Sequence, residues 1–168
     1  MSFQSTVNVN LAFGVPGELI QDGPQRAESL IVNSAGANPN TIGHAYTKNN
    51  ATNIASVGGA IAAGRVFAGI LANPKVYASY GNATGTLAPT LNVPDNAQGE
   101  FLTMGTVVVQ LTTAANIGDQ VCYDTATGAL SAVAPGAAAP AGSALVPNAV
   151  VYRYPTSGAG LAAIRLTN

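Results

Sequence analysis

Little in this sequence invites chemistry. Tryptophan is absent, cysteine and histidine occur once each, and charged residues make up only 8% of the 168 residues, against roughly a quarter in an ordinary soluble protein. A lone cysteine makes no internal disulfide, so folding does not depend on oxidation. One cysteine, Cys122, and one histidine, His44, fall short of a zinc site built from one chain. The six basic residues (Arg26, Lys48, Arg65, Lys75, Arg153 and Arg165) are scattered. No run of them would neutralise several adjacent phosphates or hold the chain to an anionic membrane, so neither nucleic acid nor membrane is an expected partner. Residues 1–15, MSFQSTVNVNLAFGV, lack the basic start and continuous apolar run of a signal peptide. The most apolar stretch, GGAIAAGRVFAGILA, is interrupted by Arg65 and followed by Asn73 and Pro74, so it is no membrane span. The expectation is a soluble, cytoplasmically made product.

Apolar residues, glycine and uncharged polar residues fill the space. Hydrophobic residues account for 48% of the chain, with 19 glycines and 10 prolines. That is enough for a core without metal or disulfide, and the length suits one domain over residues 1–168. A net charge of −1 leaves little repulsion between copies. The dominant period is two. In TVNVNLAF, Val7, Val9, Leu11 and Phe13 alternate with Asn8, Asn10 and Ala12, as in a half-buried strand.

Turn signals cut the chain at regular intervals. Gly14, Pro16 and Gly17 break it first, then Asp22, Gly23 and Pro24. Further strands are predicted at ESLIVNS, IGHAYT, RVFAGIL, KVYASY, EFLTM, TVVVQLT, QVCYD, ALSAV, NAVVYRY and AAIRLT. KNNATNIASVGGAIAAG is too rich in Gly and Asn for a helix. The pattern predicts an all-β fold: a jelly-roll-like sandwich or barrel of many short antiparallel strands, long loops and little helix. An extended N-terminal segment (1–13) and a Pro/Ala-rich loop or arm (134–147) complete it. Pro135, Pro140 and Pro147 argue against regular pairing in that arm.

One stretch does look like a site. VCYDTATGAL (121–130) sets Cys122 beside Tyr123, Asp124, Thr125 and Thr127. Asp124-Thr-Ala-Thr-Gly resembles a phosphorylated-aspartate loop, but the lysine and further carboxylates that chemistry needs are not nearby. Cys122 has no neighbouring cation to lower its pKa and only His44 to serve as a base. A hairpin turn needs only what is present: Asp124 accepting backbone N–H groups ahead of it, and Gly128 at positive φ. YGNATGTL (80–87) repeats the device with Asn82 and Gly85 in the same two positions. The stretch therefore reads as a turn, with Cys122 filling the strand face opposite Val121 and Tyr123. GAIAAGRV (59–66) has the glycine spacing of a phosphate loop but carries Arg65 and Val66 where Lys and Ser or Thr are required.

Several segments, in order, resemble the structural cement protein family of tailed phages. These are VNLAFGVPGELIQDGPQRAESLIV (9–32), NTIGHAYT (40–47), VFAGILANPKVYASYG (66–81), GTLAPTLNVPDNAQGEFLTMGTVVVQL (85–111) and IGDQVCYDTATGALSA (117–132). The resemblance covers most of residues 3–132 and thins beyond. It implies a non-enzymatic, jelly-roll-like virion protein on the capsid exterior, made in the host cytoplasm, with no catalytic residue and no cofactor. Its implied partners are the major capsid protein and other copies of itself, as a dimer or trimer. Phe3, Phe13, Arg26 and His44 are the expected capsid-facing residues, although relatives would carry Arg where His44 stands. The rival reading is a β-sandwich carbohydrate-binding or adhesin module, or a phage tail component. Missing tryptophan weighs against the former, while six tyrosines remain for sugar stacking.

Overall fold

One long strand organises the molecule. The computed structural model describes residues 13–36, 39–62, 64–73 and 92–167, which carry twelve strands and no helix. In chain order these are β1 (Leu19–Ile20), β2 (Arg26–Val32), β3 (Asn40–Thr41), β4 (Ala45–Asn49), β5 (Ile54–Val57) and β6 (Arg65–Leu71). They are followed by β7 (Asn92–Val93), β8 (Gln98–Leu111), β9 (Gln120–Asp124), β10 (Leu130–Val133), β11 (Ser143–Arg153) and β12 (Gly160–Leu166). The fold is all-β with barrel-like closure, as the two-residue period predicts.

β8 belongs to two closed rings. Its first half pairs with β2 and β6, and the ring continues through β5 and β4. Its second half pairs with β12, and that ring runs through β11, β9 and β10 back to β8. Each ring has five strands, and an odd ring cannot close with antiparallel neighbours alone. Each accordingly contains one parallel pair, β2–β5 in the first ring and β10–β8 in the second. Closure removes the open edges on which such strands would otherwise aggregate. EFLTM and TVVVQLT, predicted as separate strands, are continuous through Gly105, whose φ of 127° lets the chain pass from one ring to the other.

The wall between the rings is buried on both faces. Tyr46, Leu71 and Phe101 lie in one core with Leu30, Val32 and Val57, while their chain neighbours Ala45, Ile70 and Leu102 lie in the other with Val107, Tyr123 and Ile164. Strands sandwiched in this way read as continuous apolar runs rather than alternating ones, which is why AGIL, the buried end of β6, carries no polar residue. Each large apolar side chain so buried contributes about 1.5–3 kcal/mol. Tyr46 and Phe101 meet edge to face at 5.1 Å.

Two smaller features complete the frame. β3 and β7 form a separate two-stranded sheet, beside which Asp95 accepts Asn40 Nδ2 at 2.7 Å, Ser34 N at 3.0 Å and Gly36 N at 3.1 Å. The Pro/Ala-rich arm is shorter than predicted. Residues 134–142 lie outside strands, but 143–147 enter β11. Pro147 is accommodated because the β11–β9 register shifts between Leu145 and Val150, where no ladder N–H is required of it.

Candidate interaction surface

The stretch that looked like a site is a clasp. Asp124 Oδ1 accepts Ala126 N at 2.9 Å, Thr127 N at 2.8 Å and Thr127 Oγ1 at 3.0 Å. The Thr127 hydrogen bonds, the backbone one foremost, hold the carboxyl below its ordinary range. Gly128, at φ 71°, closes the turn and donates to Asp124 O at 2.8 Å. Its carbonyl accepts Ala45 N at 2.9 Å, Thr125 O accepts Gly59 N at 2.7 Å, and Tyr123 Oη donates to Gly59 O at 2.8 Å. The β9–β10 loop of one ring is thereby bonded to β4 and the end of β5 in the other. Cys122 is buried, with Sγ 3.1 Å from Ser131 Oγ.

His44 belongs to the same clasp. Its Nδ1 lies 2.9 Å from Thr127 O, and since a carbonyl only accepts, that nitrogen carries the proton. Burial holds the imidazole below its ordinary pKa, and the hydrogen bond to Thr127 opposes that shift. Of the other expected capsid-facing residues, Phe13 and Arg26 are exposed, and Phe3 lies outside the described residues, as do Asn82 and Gly85. Phe13 stacks on Tyr154 with ring centroids 3.8 Å apart, and Arg26 Nε donates to Thr103 Oγ1 at 3.2 Å.

The N-terminal turns run along the second half of β8. Gly17 N donates to Val108 O and Val108 N to Glu18 O, both at 2.8 Å, and β1 continues the pairing. Gly14 packs on Val108, and Pro16 abuts Gly43. At Gly17, φ is 81° and an added Cβ would fall 2.8 Å from Asn73 N, so both conformation and space favour glycine. Gly23 and Pro24 then carry the chain past a groove to β2.

That groove has an ionic rim. Asp22 Oδ2 accepts Arg165 Nη2 at 3.2 Å and forms an ion pair with Arg153 Nη2 at the same distance, while Arg153 Nη2 donates to Tyr152 Oη at 3.3 Å. The Arg165 guanidinium carbon lies 3.4 Å from the Tyr152 ring centroid, and Arg153 lies 4.7 Å from it. A hydrogen bond from Thr106, with both arginines adding to it, holds the Asp22 carboxyl below its ordinary range. These residues are far apart in sequence, and only the Tyr-Arg-Tyr run at 152–154 hints that an arginine is held between aromatic rings. Among the described residues no three His, Cys, Asp or Glu side chains gather so as to hold a metal.

The comparisons with known proteins agree with this architecture. A chain of the solved structure "The capsid of Myoviridae Phage XM1" superposes with a TM-score of 0.67 over 100% of this chain and 99% of that one, at 16% identity. At that identity the likeness concerns the fold. No curated protein matches the sequence. The model of the family described as "Structural cement protein (E217 gp24/Pam3 gp6)" matches residues 3–167, nearly the whole chain. The protein belongs to this structural cement family, a family of capsid-associated phage proteins.

Proposed function

We propose that the protein binds the outer surface of the phage capsid and cements neighbouring copies of the major capsid protein against the outward pressure of packaged DNA. The observation that carries this reading is the family match over residues 3–167. The physics of the fold supports it. Two rings joined through one strand and a clasp resist deformation because shearing one ring must also break bonds to the other. With charged residues at only 8% of the chain, a surface rich in Thr, Asn and Ala has a low desolvation cost when covered. The work asked of the protein is mechanical and non-enzymatic, and its side chains are engaged in packing and turns.

On this reading residues 1–168 act as one β-rich unit on the virion exterior, made in the host cytoplasm and self-associating as a dimer or trimer. Residues 1–13 and the 134–142 loop are its reaching elements, and Phe3, Phe13 and Arg26 face the shell. Interfaces of on the order of 1,000 Å², repeated around a symmetric lattice, act collectively even when each is weak. The test is sedimentation of purified protein with expanded capsids that lack it. Saturable pelleting at micromolar concentration is the expected result. Failure to pellet, together with specific retention on an immobilised glycan, would replace this reading with the adhesin one.

A further inference from the structure

The Asp22 rim carries an excess of charge on a surface that otherwise has little. Two guanidinium groups share one carboxylate oxygen, leaving one positive charge over. Their side chains remain 43% and 33% exposed, so a partner can reach them. The chain has only six Lys and Arg in all, and two of them converge here from adjacent strands, β11 and β12. Tyr152 stacks against both, and Thr106 Oγ1 lies 3.4 Å from Arg165 Nε, so the planar forks are oriented before any partner arrives.

A groove of about 380 Å³ opens beside them, lined by Pro24, Met104, Thr106 and Leu166 as well as Asp22 and Arg165. Its lining is mainly apolar. Tyr154, next to Arg153, stacks on Phe13, and both rings are exposed, at 44% and 43%. Aromatic residues and arginine beside an apolar recess are the composition from which protein interfaces draw most of their binding energy. An apolar groove with a cationic rim complements a chain segment that presents an apolar side chain next to a carboxylate.

We infer that this face, formed by Asp22, Arg153, Arg165, Tyr154 and the groove, docks an acidic segment of the major capsid protein, with a partner carboxylate received by the two arginines. The inference rests on the cementing function and adds where and by what chemistry contact is made. Asp22 then acts as an internal placeholder. It holds the two guanidinium groups beside one another, and it competes with the partner's carboxylate for the same donors. Arginine forks bind carboxylates in two-pronged geometry that lysine does not reproduce.

The test uses the full chain and cement-free expanded capsids, with apparent affinity read by co-sedimentation at low and high salt. Arg153→Ala/Arg165→Ala should weaken binding at least tenfold and flatten its salt dependence. Asp22→Asn keeps an acceptor for the arginines but removes the competing charge, so it should tighten binding several-fold and steepen the salt dependence. A thermal melt of each variant separates lost folding from lost contact, and if the arginine variant fails to fold, Asp22→Asn alone decides. Wild-type affinity and salt dependence in the folded variants would overturn the inference and leave the cementing function standing. Absence of binding by the wild-type protein would overturn both.

Discussion

The 121–130 hairpin and the Asp22 rim form an instructive pair. The hairpin gathers a cysteine, a tyrosine, an aspartate and two threonines, yet their polar groups bond within the protein. Asp124 is filled by its own loop, Tyr123 and His44 by backbone carbonyls, and Cys122 by Ser131. The rim is drawn from residues up to 143 positions apart, shows no motif, and leaves charge unspent at the surface. What separates structure from function here is the balance of donors and acceptors after folding, not the residue types present.

The largest effect should come from breaking the clasp at Gly128. A Cβ on Gly128 would lie 2.5 Å from Ala45 O and 3.0 Å from Gly58 N, in a conformation side chains rarely adopt. Gly128→Val should therefore destabilise the protein by on the order of 4 kcal/mol or more, enough to leave little folded protein in a urea titration. Tyr123→Phe removes only the bond to Gly59 O and leaves that carbonyl without this partner. It should lower stability by about 1–2 kcal/mol in the same titration, with the m-value unchanged.

A pH scan sharpens the comparison further. The pKa of His44 is depressed in the fold, so the unfolded chain takes up its proton first as pH falls. Its contribution is thus complete above its ordinary value of 6.5 and is lost as pH drops through the lower folded value. Asp22, Asp95 and Asp124 are also depressed, but from 3.8, so their contribution changes only in stronger acid. Between pH 7 and 5 the melting temperature of the wild type should therefore fall more than that of His44→Gln. Equal slopes would mean that burial does not depress the His44 pKa. The smallest effect belongs to Cys122→Ser. Ser131 Oγ is in place to receive the hydroxyl, so the change should stay within about 1 kcal/mol and leave capsid binding intact.

Much of the fold was legible because strand period and turn chemistry are local. RVFAGIL and QVCYD coincide with β6 and β9, bounds included. β5 was hidden in a Gly- and Asn-rich stretch because its register is set by β2 and β4 rather than by its own sequence. The parallel pairs that close the rings leave no local trace either. They follow from ring size, which no single segment encodes. At Gly105 the sequence shows a break and the structure shows a bend, since glycine serves both. The rim was illegible for a related reason: Asp22 reads as a turn residue until β11 and β12 bring two arginines to it.

The most direct test of the account is the temperature at which expanded, DNA-filled particles lacking this protein rupture, measured with and without saturating protein. A cementing protein that bridges neighbouring shell subunits should raise that temperature by several degrees, with the rise saturating as binding saturates. Binding that saturates while the rupture temperature stays unchanged would contradict the central claim.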